Sequence, residues 1–251
     1  MIAGRLTEIW RHPIKSHGRE RLDRVALTAG AALPWDRHWA VLHDAARAEG
    51  DGWHPCQSFM IGTRAPGLAG LWARLDETAR RVDLRHAALG SYALHPDMAE
   101  ETAAFFDWLA PVLPAGRARP RGIVRAGSRG MTDTDYPSVS LMNRASHEAV
   151  ARAMGRDLEP ERWRGNFWLE GLAPWAEFDL VGRELRLGGA VLRVVEPIRR
   201  CLHTAANPVT GARDADTLGT LTGQFGHQDF GVYAEVIEDG AVAVDDRLEA
   251  A

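Results

Sequence analysis

The chain has 251 residues, 45% of them hydrophobic and 25% charged, with a formal net charge of −4. That is the composition of an ordinary globular protein whose core needs no disulfide staples, and its mild acidity argues against a protein that coats nucleic acid. Its two cysteines, Cys56 and Cys201, lie far apart and in no CxxC pair, which suits a reducing compartment.

In chain order, MIAGRLTEIWRHPIKS reads as a charged strand ended by Pro13, with no apolar signal core. No apolar run approaches the roughly 18 to 20 residues that span a bilayer, so a cytoplasmic protein with no membrane contact is expected. Lys15 is the only lysine in a chain whose basic residues are otherwise arginine. RVALTAGAALPWDRHWAVLH reads as a strand, a glycine-containing turn and a second strand that holds Trp39, Val41 and Leu42. RVDLRHA and GSYALH are further short strands.

PDMAEETAAFFDWLAPVL supplies the first helix, with Asp97 as N-cap, Glu100 three residues on, and Phe105, Phe106 and Leu109 as its apolar stripe. The basic PAGRARPRG stretch reads as a linker between two parts, residues 1–115 and 116–251. NRASHEAVARAMG is a second helix, capped by Ser146 or Asn143 and stopped by Gly155. From Glu177 the pattern is β: ELRL and AVLRVVE flank Gly188-Gly189, and GVYAEVIE and AVAVDDRLE flank Asp239-Gly240. Short strands, tight turns and no βαβ alternation predict a mainly β (α+β) fold, an antiparallel barrel with helical additions.

The chemistry centres on EPIRRCLHTAANPVTG. A free cysteine is about 3% thiolate at pH 7, and a drop of roughly two pKa units beside Arg199 and Arg200 makes the thiolate dominant. In an extended strand Arg199, Cys201 and His203 share one face and Arg200 the other. The competing account is a small buried hydrophobe, since free cysteines are among the most buried residue types. Flanking arginines would be awkward to solvate there.

Elsewhere, Lys15-Ser16 offers an ammonium and a hydroxyl from one loop. Arg37 offers a cation, with Asp36 paired to it or to another cation. In WRGNFW, Arg164-Gly165-Asn166 suggests a close backbone approach plus a fork of donors. No zinc spacing, GxGxxG or P-loop appears, and Cys56 is expected to be structural or loop-borne.

WRHPIKS, DRHW, YPSVSL, RWRGNFWLEG, EPIRRCLHTAANPVTG and FGVYAEVIEDGAVAVDD, in this order, resemble the MOSC family (molybdenum-cofactor sulfurase C-terminal domain) with its N-terminal β-barrel region. The likeness is to the mitochondrial amidoxime-reducing component and bacterial N-hydroxylated-base reductases. It is best from Tyr136 to Asp246 and weakest between about His43 and Arg129. It implies a MOSC barrel preceded by, and interwoven with, an N-terminal barrel-like region. It also implies a Mo-molybdopterin cofactor with Cys201 as the metal ligand. Lys15, Ser16, Arg37, Arg164, Asn166, Arg200 and Tyr233 then contact the cofactor, which favours Arg200 over Arg199 beside the sulfur. Where the family shows Val-Asp-Pro after the cysteine, this chain has Ala206-Asn207-Pro208, so Asn207 stands in the place of a catalytic acid.

The activity implied is reduction of small N-hydroxylated substrates with electrons from a separate transfer protein. The alternative is sulfur or cofactor carriage on Cys201, by persulfide or thiolate, although no pyridoxal-phosphate lyase domain is recognisable. A third reading is a barrel that has lost its ligand set.

Overall fold

The computed structural model describes residues 4–251. The strands β1 (Gly4–Arg11), β2 (Glu20–Leu22), β3 (Arg24–Leu27), β4 (Trp39–His43), β5 (Trp72–Asp76), β6 (Arg81–His86) and β7 (Gly90–Leu94) precede helix α1 (Thr102–Leu109). Strands β8 (Pro120–Arg125) and β9 (Val139–Asn143), helix α2 (Arg144–Met154) and strand β10 (Phe167–Glu170) follow. The chain closes with β11 (Glu184–Leu187), β12 (Ala190–Arg199), β13 (Asp229–Glu238), β14 (Gly240–Ala243) and β15 (Arg247–Ala250).

Seven strands form a closed barrel in the order β10-β9-β13-β12-β11-β15-β1, with β1 pairing back onto β10 and β2 appended outside β1. The alternation read from the sequence fills it: Leu6, Leu185, Leu187, Leu192, Val232 and Leu248 all point into one buried cluster. Truncating one of these leucines to alanine costs about 2–5 kcal/mol, because the closed wall cannot collapse onto the void. Among the described strands only the β9–β10 pair is parallel, and α2 makes the crossover that a parallel pair needs. The first strand of the chain thus closes a barrel whose other strands all lie beyond residue 138.

A second core gathers around Trp39, Leu68, Leu84 and Phe105, under the β5-β6-β7 meander and α1. Here β4 pairs with β8, so the end of the expected linker PAGRARPRG is strand and is fastened to the N-terminal part.

Three local expectations change. Asp97 does not cap the first helix. Its Oδ1 accepts from the Trp39 indole at 2.9 Å and its Oδ2 pairs with Arg80, because a buried Trp39 needs an acceptor more than an exposed helix end needs a cap. Asn143 alone caps α2, accepting from the Ala145 amide at 3.0 Å, while Ser146 turns inward to Glu177. The strands either side of Asp239-Gly240 do not form a hairpin: β14 pairs with β3, and the Asp239 carboxylate accepts from the Ala29 amide. The Gly188-Gly189 hairpin forms as read, Leu187 opposite Ala190.

Candidate functional site

The loop after β1, the loop before β4, the turn before β10 and the end of β12 meet at one end of the barrel. The β1 loop is pinned through its backbone, where the Lys15 amide donates to Trp39 O at 2.8 Å, leaving Ser16 in the left-handed region at φ 62°. Arg37 (φ 51°) and Arg164 (φ 50°) are left-handed as well. Such backbone costs about 1–3 kcal/mol per residue and persists only where the surroundings over-determine it. Gly165 explains one constraint: a Cβ there would lie 2.1 Å from Met142 Cγ, so only glycine lets the turn sit on β9.

These elements enclose a cleft of about 690 Å³, its open mouth included. Lys15, Ser16, Arg37, Arg164, Arg200, Cys201 and Tyr233 all line it. Arg199 borders it too, but is exposed and donates to Gln228, while Arg200 turns inward to Phe230 O and to Trp163 O at 2.8 Å. The register of β12 against β13 shifts on both sides of Pro197, which breaks the simple alternation of faces.

Charge is arranged in layers. The buried Asp36 carboxylate accepts from the His12 amide at 2.7 Å and pairs with Arg37, whose Nη2 donates to Arg164 O at 2.9 Å. Burial works against the Asp36 charge, yet Arg37 and His12 hold its carboxyl far below the usual carboxylate range. Lys15 Nζ donates to Met131 O and to Asp133 Oδ1, both at 2.6 Å. Among the described residues, the Arg164 guanidinium finds a single hydrogen-bond partner, Gly18 O at 3.2 Å. Burial, then the charges of Arg37 and Arg19, pull its pKa down to about 9. Arg200 is pulled down to about 10, chiefly by burial. The cleft therefore holds more cation than it neutralises.

Two expected residues stand apart. Asn166 is buried beneath the cleft: its Oδ1 accepts from the Ser140 hydroxyl at 2.9 Å and its Nδ2 donates to Trp10 O at 3.1 Å, tying β1 to β9. It reaches only a small side pocket shared with Arg37 and Tyr233. Asn207 does not line the cleft, and no catalytic contact follows from its position. Its Oδ1 accepts from the Val209 and Thr210 amides, and its Nδ2 donates to Glu159 and Asp214.

Asp133 and Thr63 line the cleft unread, and so do Cys56, expected to be structural or loop-borne, and His203, read only as sharing a strand face with Cys201. Asp133 follows β8 in a polar run with no periodic signal. Cys56 shares the cleft with Cys201; burial, then the nearby Asp133 charge, pushes its thiol up to about 12. Thr63 donates its hydroxyl to Cys201 Sγ at 3.3 Å. His203 is buried, and burial together with Arg164 lowers its pKa to about 3, so it is neutral. The pairing of both cysteines with one pocket was the signal available, but their separation in sequence hid it.

The residue set fits a group that carries anionic oxygen and accepts a soft ligand. Forks of Arg164 and Arg37 suit phosphate or oxo oxygens. Arg164, short of counter-charge, is satisfied by such an anion. Cys201 is exposed at the mouth, where a thiolate can reach a soft-ligand metal.

Comparison with known proteins identifies the family and the fold. The MOSC domain matches residues 131–249 and the MOSC N-terminal beta barrel domain residues 3–108. The molybdenum cofactor sulfurase of Drosophila mojavensis is 31% identical over 162 residues, covering 61% of this chain and 20% of that protein. That of Drosophila grimshawi is 31% identical over 146 residues, covering 55% and 18%. The chain thus spans about a fifth of the length of the curated relatives it matches. Among solved structures, the YUAD protein from Bacillus subtilis superposes with a TM-score of 0.50 at 13% identity, over 99% of this chain and 95% of that one, a likeness of fold. Among the described residues no helix is long and apolar enough to cross a membrane.

Proposed function

Because the chain belongs to the family that joins a MOSC N-terminal beta barrel domain to a MOSC domain, we propose that it binds a molybdenum cofactor and reduces N-hydroxylated compounds. The observation that carries this reading is the convergence of Cys201, Lys15, Arg37, Arg164 and Arg200 on one cleft. When bound, the molybdopterin centre supplies two-electron chemistry and an acceptor for the substrate oxygen.

The chain's own residues do the rest. Cys201 offers its sulfur as the metal ligand. Arg164 and Arg37 would hold the anionic oxygens of the cofactor, and Lys15, steadied by Asp133, would add a compact charge. Tyr233 keeps its phenolic proton, since burial and the neighbouring Asp133 push its pKa above the ordinary tyrosine value. Reduction of an N–OH group consumes two electrons and two protons and releases water. The electrons come from a separate transfer protein, and Tyr233 and the Cys56 thiol, their pKa values raised, stay protonated beside the cationic side chains of the cleft. The substrate is a small molecule, as an opening of this size admits.

The alternative, sulfur or cofactor carriage on Cys201, is favoured by two observations: the exposure of that thiol and the sulfurase names of the curated relatives. Protein made in a host with intact cofactor synthesis separates the readings. Molybdenum and pterin lost in Cys201→Ala, with turnover of a hydroxylamine-type substrate, support reduction. A sulfur adduct on Cys201 without turnover supports carriage. Protein free of molybdenum and pterin, unaltered by Cys201→Ala, overturns the cofactor reading.

A further inference from the structure

Thr63 and Cys201 lie 138 positions apart, in different halves of the chain, yet the threonine hydroxyl donates to the cysteine sulfur at 3.3 Å. Within hydrogen-bonding range for sulfur, that contact is one of a linked set. Arg213 Nη2 donates to Thr63 O at 2.6 Å, so the threonine is held from behind by the loop that follows the cysteine. Arg213 is itself placed by the Asn207 turn. Ala206 and Arg213 form an antiparallel bridge, the Asn207 amide donates to Ala212 O, and the Gly211 amide donates back to Asn207 O, both at 2.8 Å.

The turn is also docked on the segment that carries Thr63. The buried Arg19 guanidinium donates to Ala69 O at 2.9 Å and, from its other arm, to Pro208 O at 2.8 Å. A Cβ on Gly211 would lie 2.6 Å from Gly67 Cα, so only glycine permits the approach. Two stretches distant in sequence are thereby closed on each other, with Thr63 at their cysteine end.

We propose that Thr63 is a positioning residue for the Cys201 sulfur, and that the Asn207 turn fixes it there through Arg213. The inference rests on the reading of Cys201 as a molybdenum ligand. A hydrogen bond to a ligating sulfur draws charge from it and tunes the metal, and loss of such an outer contact costs metal affinity roughly 10- to 100-fold. Thr63→Val removes the hydroxyl at nearly constant volume, and Thr63→Ser keeps it.

The test compares wild type, Thr63→Val and Thr63→Ser by molybdenum content and by potentiometric titration followed through the Mo(V) paramagnetic signal. Thr63→Val is expected to shift the midpoint to lower potential, or to lose about tenfold in molybdenum content, with Thr63→Ser restoring either. Wild type and Thr63→Val alike in both quantities, and both loaded, overturn the proposal and leave the proposed function standing. Wild type without molybdenum defeats the proposed function instead. The metal-free proteins then decide on Thr63: alkylation of Cys201 by iodoacetamide at one fixed pH changes by about threefold or more in Thr63→Val and returns in Thr63→Ser. Equal rates in all three overturn the positioning role.

Discussion

The Asn207 side-chain amide donates to Asp214 at 2.9 Å and to Glu159 at 3.1 Å, so the residue that stands in the place of the family's acid in the turn after the cysteine is held between two acids. Both acids pair with the buried Arg162, Glu159 at 2.6 Å and Asp214 at 2.7 Å. An aspartate at 207 would bring a third carboxylate to one guanidinium and lose both donated bonds. Asn207→Asp is therefore expected to destabilise the fold by about 1–2 kcal/mol, a few degrees of melting temperature, without adding activity. A melting point equal to or above the wild type's contradicts this account of the turn.

Anion binding tests the layered charges of the cleft. With inorganic phosphate as probe, Arg164→Ala is expected to weaken binding about tenfold or more, since this cation is short of partners. Arg199→Ala, at the exposed border, should change it by under about twofold. Asp133→Asn, which removes the acid facing Lys15, should tighten it. Calorimetry reads all three, and equal losses at Arg164 and Arg199 would contradict the ranking.

Acid sensitivity follows from the buried histidines. Burial lowers His17 and His147 to about 4, and His12 and His203 to about 3, against an ordinary value near 6.5. A histidine with a depressed folded pKa stays neutral in the fold while the unfolded chain takes up a proton. Its stabilisation is complete above about pH 6.5 and is lost as pH falls toward the folded value. Asp36, also depressed, loses its contribution in the same direction but at lower pH. Urea midpoints should hold between pH 7 and 8 and fall steadily from about pH 6.5 to 4. His147→Gln should shallow that slope, and an unchanged slope would remove His147 from the cause.

The two cysteines should differ in chemistry. Cys201 is exposed, whereas the Cys56 thiol is partly buried and pushed up to about 12. At pH 8 peptide-resolved alkylation should label Cys201 readily, and Cys56 at least about tenfold more slowly until urea unfolds the chain. Equal labelling rates in the native protein contradict the environment described for Cys56.

Much of this was legible in the residues because it is local. Alternating strands, the Gly188-Gly189 hairpin and the Asn143 and Gly155 ends of α2 follow from short-range rules. The positive backbone angles at Ser16, Arg37 and Arg164 were not legible, since non-glycine residues give no sign of them. The Asp239-Gly240 turn looked like a hairpin because its dipeptide favours one. The competing partner, β3, lies some two hundred residues away, and only closure of the barrel brings it near. Asp133, Cys56 and Thr63 belong to the site for the same reason: tertiary proximity selects them, and no periodicity marks them.

The seat of β1 between β15 and β10 bears on the order of assembly. Its partners β10 and β15 lie more than 150 and more than 230 residues further along the sequence, so until they are made only β2, close by, can pair with it. Non-local closure of this kind is slow and leaves strand edges open to wrong partners in the interval. The nascent chain should therefore depend on chaperones most during late synthesis.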